Sequence, residues 1–208
     1  MKPIDVLTSP WAILPDKLGE ITEIYATHLR GEKIDLAAIE ARLGQPLARK
    51  PQGYQVEQGV ALIPVDGVIA KRMNLFTQIS GGASTELIAR DVREAASDPN
   101  VSAIVLLVDS PGGSVDGTQA LAQVVREASD QKPVVTWADG MMASAAYWIG
   151  AAADRVYISG DTTFVGSIGV VSQHVDMSKY QEKAGIKTTE IYAGKYKRIA
   201  SEYAPLTK

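Results

Sequence analysis

The chain has 208 residues, 46% hydrophobic and 22% charged, with a net charge of −3; this supports one globular domain or slightly more and argues against disorder. It has no cysteine and two histidines, His28 and His174, which excludes disulfides, a cysteine nucleophile, thiolate zinc sites and multi-histidine metal sites, so no metal or other cofactor is expected. Near-balanced charge gives no reason to expect nucleic acid or an anionic membrane as partner, and the longest weakly polar run, 141–153, falls short of the roughly 20 apolar residues that span a bilayer; a soluble, intracellular protein without a secretory signal is expected.

Residues 1–58 read as a helical extension and linker, and 59–208 as an α/β core. In the extension, Pro15 opens a helix in which Leu18, Ile21, Ile24, Tyr25 and Leu29 recur at helical spacing, and Gly31 ends it. Asp35 and Gly44 bracket a second helix, and 45–55 reads as a linker. From Gly59 the pattern becomes β-rich, with Pro64 marking a bulge or an edge. Ser84 or Thr85 caps a helix that Asp98-Pro99 ends. The continuous apolar run 101–108 suggests a strand buried on both faces. A turn at 109–115, a helix over 115–130, a strand over 133–139, an apolar helix over 143–154 and a strand over 155–160 follow. A glycine-punctuated bend then leads into a strand at 169–171, Ser178 caps a helix over 178–185, and 187–194 reads as a last strand. Strands alternating with helices imply a largely parallel sheet. No closing helix follows, so the core is expected to be C-terminally incomplete or completed in an oligomer.

Three glycine- and serine-rich turns are candidates for chemistry. In Asp109-Ser110-Pro111-Gly112-Gly113-Ser114 the glycine pair lets backbone N–H groups face outward, where they can hold a phosphate or a developing oxyanion; a tight structural turn is the alternative. The spacing matches neither a dinucleotide fingerprint nor a P-loop. Ser144 opens the apolar helix, with its hydroxyl at the positive end of the helix dipole and the N–H of Ala145 beside it; a plain N-cap is the alternative. Gly166-Ser167-Ile168-Gly169 reads first as a bend. A serine nucleophile needs a base, either His174 or a lysine with a lowered pKa, and composition and spacing do not choose. Tyr147 and Trp148 read mainly as core, with substrate lining as the alternative; Met141 and Met142 suit an adaptable side-chain pocket beside Ser144 or core packing equally.

The DSPGG turn after an apolar strand, the segment ASAAYWIGAAADRVYISGDTTFVGSIGVV and the segment AGIKTTEIYAGKYKRIA, in this order, resemble the signal peptide peptidase A family of Ser-Lys peptidases. The resemblance covers about Gly59 to Lys208. SPWAILPDKLGEI and ARLGQPLAR are similar to the phage and prophage head-maturation branch, protein C. The resemblance implies a Clp-protease/crotonase-like fold with a largely parallel sheet. It implies Ser144 as nucleophile, Lys197 as base in preference to Lys195, an oxyanion hole at Gly113 and Ala145 with Gly112 beside it, and Ser167 orienting the lysine amine. It also implies a protein or peptide substrate, a homo-oligomer, and capsid, portal or scaffold proteins as partners, in the host cytoplasm or inside a procapsid. The absence of a membrane anchor turns the expectation from signal peptides toward soluble proteins. Three other readings compete: a crotonase-type acyl-CoA enzyme using a carboxylate, a Clp-type triad using His174, and a protease-like assembly protein without turnover.

Overall fold

A computed structural model describes residues 11–13, 53–72 and 82–206. The two helices expected within 15–44 lie outside the described residues. Residues 11–171 belong to one compact unit and 172–206 to another, and each is described by itself.

The first unit is built on two sheets. Strand β1 spans Trp11–Ile13, β2 Gln55–Glu57, β3 Val60–Asp66, β4 Ile69–Ala70 and β5 Ala83–Ser84. Helix α1 (Thr85–Ser97) leads to β6 (Ala103–Ser110) and β7 (Gly112–Ser114). Helix α2 (Thr118–Ser129) leads to β8 (Val134–Ala143), and α3 (Ala145–Gly150) to β9 (Arg155–Ile158) and β10 (Phe164–Gly166). The larger sheet runs β10-β8-β6-β3-β2, with β9 also on β8, and every pair except β2–β3 is parallel. The smaller sheet runs β1-β7-β4-β5. The α/β class and the largely parallel sheet are as expected.

Local chemistry sets the elements. The Ser84 hydroxyl accepts the Leu87 N–H at 3.4 Å and caps α1, and Glu86 in the first turn suits the helix dipole. Pro64 pairs with Leu107 of β6 on one side, while the described pairing with β2 ends at Leu62; the missing N–H therefore falls where β3 has become an edge. The apolar run does not become a strand deeply buried on both faces. In β6, Ile104, Leu106 and Val108 are at most 1% exposed, while Ala103, Val105 and Leu107 between them are half-buried. The physical reason is that α1, α2 and α3 pack side by side against the sheet and seal only the residues of alternate parity. Each large side chain buried there contributes about 1.5–3 kcal/mol.

Several local expectations change. Residues Gly112–Ser114 form a strand rather than a turn, because β4 and β1 pair with them from both sides. β8 continues through the expected loop to Ala143, with Gly140 at φ +93°. The expected strand at 169–171 is displaced to Phe164–Gly166, where it pairs with Met141–Ala143 of β8.

At the carboxyl end of the parallel strands Asp66 and Asp109 stand opposite each other. Partial burial, and next the Asp109 carboxylate, raise the Asp66 carboxyl above the ordinary aspartate range. The folded state thus binds this proton more tightly than the unfolded chain. The associated stability is full below the unfolded-state pKa and is lost as pH rises through the folded-state value. Asp66→Asn is expected to raise the melting temperature at neutral pH and to make little difference at acidic pH. Thermal unfolding at the two pH values checks this, and an equal shift at both would refute it.

The second unit holds α4, Ser178–Lys183. Met177 takes the cap position, so Ser178 is the first helical residue, not its cap; its N–H donates to Asp176 Oδ1 at 2.9 Å. Residues 187–194 form no strand, and Ile191 is 98% exposed; no strand pairs with this segment among the described residues.

Candidate active site

Ser144 sits between the end of β8 and the start of α3, with φ 55° and ψ −112°. An L-residue adopts this conformation only at a cost of about 1–3 kcal/mol, held in place by its surroundings. Two observed contacts do so. The Ser144 N–H donates to the Gly166 carbonyl at 2.9 Å, and its carbonyl accepts the Trp148 N–H at 2.9 Å. The plain N-cap reading fails, because the side chain makes no capping bond. Instead Oγ faces the Gly169 carbonyl at 3.4 Å, and the residue is 6% exposed. A serine on a strained strand-to-helix turn is the geometry that presents a hydroxyl as a nucleophile. Ala145 is the first residue of α3, so its N–H belongs to the first-turn amides that have no acceptor within the helix.

The glycine pair lies in β7, which packs against α3. Gly112, at φ +97°, donates its N–H to Ser110 Oγ at 3.2 Å, and Ser110 Oγ itself donates to the Gly67 carbonyl. The Gly112 amide is therefore committed to bracing the turn. Gly113 is opposite Ile69 in β4, whose carbonyl oxygen is only 1.9 Å from where a Cβ would stand, so no side chain fits there. Ser167 is half-buried at φ 52°, directly after β10. The third turn is thus more than a bend: parallel pairing of Gly166 with Ala143 delivers the Gly166 and Gly169 carbonyls to Ser144.

A cleft of about 660 Å³ opens at Ser144. One wall is a face of α2, formed by Gln119, Ala122, Gln123 and Arg126. Tyr147 and Trp148 of α3 form another, and Ile168 and Val170 close it. Tyr147 and Trp148 therefore line the cleft as well as packing, Met142 is fully buried and Met141 is half-buried. The α2 wall was legible only as a helical period of three and four residues without apolar contrast. None of the described residues lining the cleft is acidic. Asp109 accepts the Met141 N–H at 3.1 Å. No group of three or more metal-ligating side chains occurs among the described residues.

Lys197, Lys195 and His174 belong to the second unit. Lys197 is exposed there, and its backbone N–H donates to the Gly194 carbonyl at 3.2 Å. This stretch is a succession of turns, so the extended geometry that would send Lys195 and Lys197 to one side is absent. Lys195 Nζ lies 5.2 Å from the centre of the Tyr196 ring, within cation–π reach. His174 Nε2 is buried and without a partner among the described residues.

The family model described as Peptidase family S49 matches residues 126–208, which include Ser144, Ser167 and Lys197. Over this stretch the chain is similar to peptidase family S49. A second model, Clp protease, matches residues 66–163 and takes in the glycine pair. Capsid assembly protease C of Escherichia phage lambda is 35% identical over 158 residues, 76% of this chain and 36% of that protein. Head-tail preconnector protein GP5 of Enterobacteria phage P21 is 30% identical over 76% of this chain and 31% of its own length. Protease 4 of Haemophilus influenzae is 31% identical over 74% of this chain and 24% of its own length. The chain thus spans about a third or less of the length of these relatives. Among solved structures, an enoyl-CoA hydratase from Mycobacterium avium subsp. paratuberculosis K-10 aligns with a TM-score of 0.41 at 19% identity, over 58% of this chain and 48% of that one. No helix among the described residues is long and apolar enough to cross a membrane.

Proposed function

We propose that this chain is a serine endopeptidase in which Ser144 attacks the scissile carbonyl and Lys197 is the base. The observation that carries the reading is the Ser144 conformation: strained, uncapped and open to a cleft. Neutral Lys197 takes the Ser144 proton as Oγ bonds to the carbonyl carbon. The resulting oxyanion is held by the amides of Gly113 and Ala145, Gly112 serving as the brace. Protonated Lys197 then gives its proton to the leaving amine as the peptide C–N bond breaks. Water, activated by the same amine, hydrolyses the acyl-enzyme and restores Ser144. Ser167 orients the amine.

A lysine base must lose its proton easily, which burial promotes. Lys197 is exposed in the isolated chain, so the desolvation is assigned to bound substrate or to a second copy of the chain. Exposed Tyr157, Ile158 and Phe164, each 47–48% exposed, supply apolar surface for such an assembly. By likeness to the phage relatives, the substrates are assigned to capsid, portal or scaffold proteins during head maturation, in the host cytoplasm or a procapsid.

The test is turnover of an unfolded protein from neutral to alkaline pH. Wild-type activity should rise with pH as the amine deprotonates, and Lys197→Ala should lose at least about 100-fold. His174→Ala should keep its activity. Activity retained in Lys197→Ala and lost in His174→Ala would replace the dyad with a triad. Ordered oligomers with no turnover at any pH would favour an assembly protein instead.

A further inference from the structure

Strand β1 is the edge of the smaller sheet and lies antiparallel on β7, with Trp11 opposite Ser114, Ala12 opposite Gly113 and Ile13 opposite Gly112. The other side of β7 is taken by β4. Three residues from near the start of the chain thus run along the glycine pair that serves the oxyanion in the reading above. An antiparallel strand added to a sheet edge is a general way to hold an extended peptide: main-chain bonds give affinity and side-chain recesses give selectivity.

Two features mark this strand as an exchangeable occupant rather than a permanent part of the sheet. First, sheet pairs are stabilised mainly by side chains facing each other across the ladder. Opposite Ala12 and Ile13 stand Gly113 and Gly112, which have none. The pairing rests on the main chain, which any peptide can supply. Second, Ile13 is 3% exposed yet stands outside the contiguous hydrophobic core of the described residues. It is buried locally, beside the edge.

We propose that Trp11–Ile13 occupies, in cis, the strand site of the peptide substrate. The site accepts an extended segment with an aliphatic residue in the place of Ile13, and it opens when β1 leaves. This rests on the peptidase reading and names its substrate class.

The test is binding, so that it does not depend on turnover. A fluorescein-labelled hexapeptide with the sequence of residues 9–14, Ser-Pro-Trp-Ala-Ile-Leu, is titrated by anisotropy against the full chain carrying Ser144→Ala, with and without Ile13→Asp. Vacating the site removes the competing occupant, so affinity should rise at least about tenfold. A control peptide with aspartate in place of the isoleucine should not bind. Ala12→Pro, which disfavours a paired strand and leaves Ile13 unchanged, should shift affinity the same way. Equal affinity in the folded variants, or no binding to any of them, overturns the proposal. Unfolding of both variants also overturns it, since β1 would then be part of the permanent core. Tighter binding in chains that show no turnover with Ser144 intact would sink the peptidase reading alone. Unchanged binding beside Ser144-dependent turnover would sink only this one.

Discussion

Ser144→Ala is expected to lower turnover by at least about 1,000-fold, as removal of a nucleophile does when a catalytic unit works together, while leaving the melting temperature nearly unchanged. The hydroxyl makes no capping bond, and its contact with the Gly169 carbonyl is long, so its loss costs the fold little. Ser144→Gly should be equally inactive but more stable, by about 1 kcal/mol, because glycine adopts positive φ without the penalty a Cβ imposes. Activity and stability would then move in opposite directions at one residue. The measurement is a turnover assay beside thermal unfolding of all three proteins. Activity within tenfold of wild type in Ser144→Ala would remove Ser144 from the chemistry. A destabilised Ser144→Gly would remove the claim that the turn is strained.

Gly113→Ala is expected to have the largest effect on the fold. Its Cβ would stand 1.9 Å from the Ile69 carbonyl oxygen and 2.6 Å from the Ile69 nitrogen and carbonyl carbon. Crowding that side chains can relieve costs about 1–3 kcal/mol. Here the obstacle is the backbone of β4, which moves only if the β4–β7 pairing breaks, so a loss of about 4 kcal/mol or more is expected. Urea unfolding measures it. At Gly140 the nearest atom is a carboxylate oxygen of Asp109, 2.9 Å away, and φ is +93°; Gly140→Ala should be milder, since that side chain can swing away. A Gly113→Ala protein as stable as wild type would mean that β4 and β7 do not approach so closely. Where the variant does fold, an altered Gly113 amide should still lower turnover, because one oxyanion donor is typically worth about 100- to 1,000-fold.

Much of the fold could be read without coordinates where the controlling physics is local. Ser84 and Asp98 bracket α1 as their types require, and α2 follows its apolar period over Thr118–Ser129. The run from Ala103 forms a strand as its length and apolar character demand. Three glycine- and serine-rich turns could be singled out, and Ser144 and the glycine pair recognised through a resemblance.

What stayed illegible depends on partners distant in the chain. Gly112–Ser114 is a strand only because Ile69 and Trp11–Ile13 pair with it, and no property of Gly-Gly-Ser announces that. Gly166 and Gly169 face Ser144 because β10 adds in parallel to β8. Gln119, Gln123 and Arg126 line the cleft because α2 packs beside α3. The extended reading of 187–194 failed because no strand among the described residues pairs with it, and β-propensity expresses itself only against a neighbouring strand.

By itself, then, the sequence determined the helices α1 and α2, the strand from Ala103, and the exclusion of cysteine and multi-histidine chemistry. These follow from caps, periodicity and composition, which act over a few residues. Tertiary structure alone decided that Ser144 is strained rather than capping, that the Gly112 amide is spent on Ser110 while Gly113 is pressed against Ile69, and that β1 lies along the glycine pair. Apart from the Gly112–Ser110 bond, which is local, each of these rests on hydrogen bonds or close approaches between segments more than twenty residues apart or on a backbone angle such approaches enforce, and a chain acquires those only when its strands have found their register.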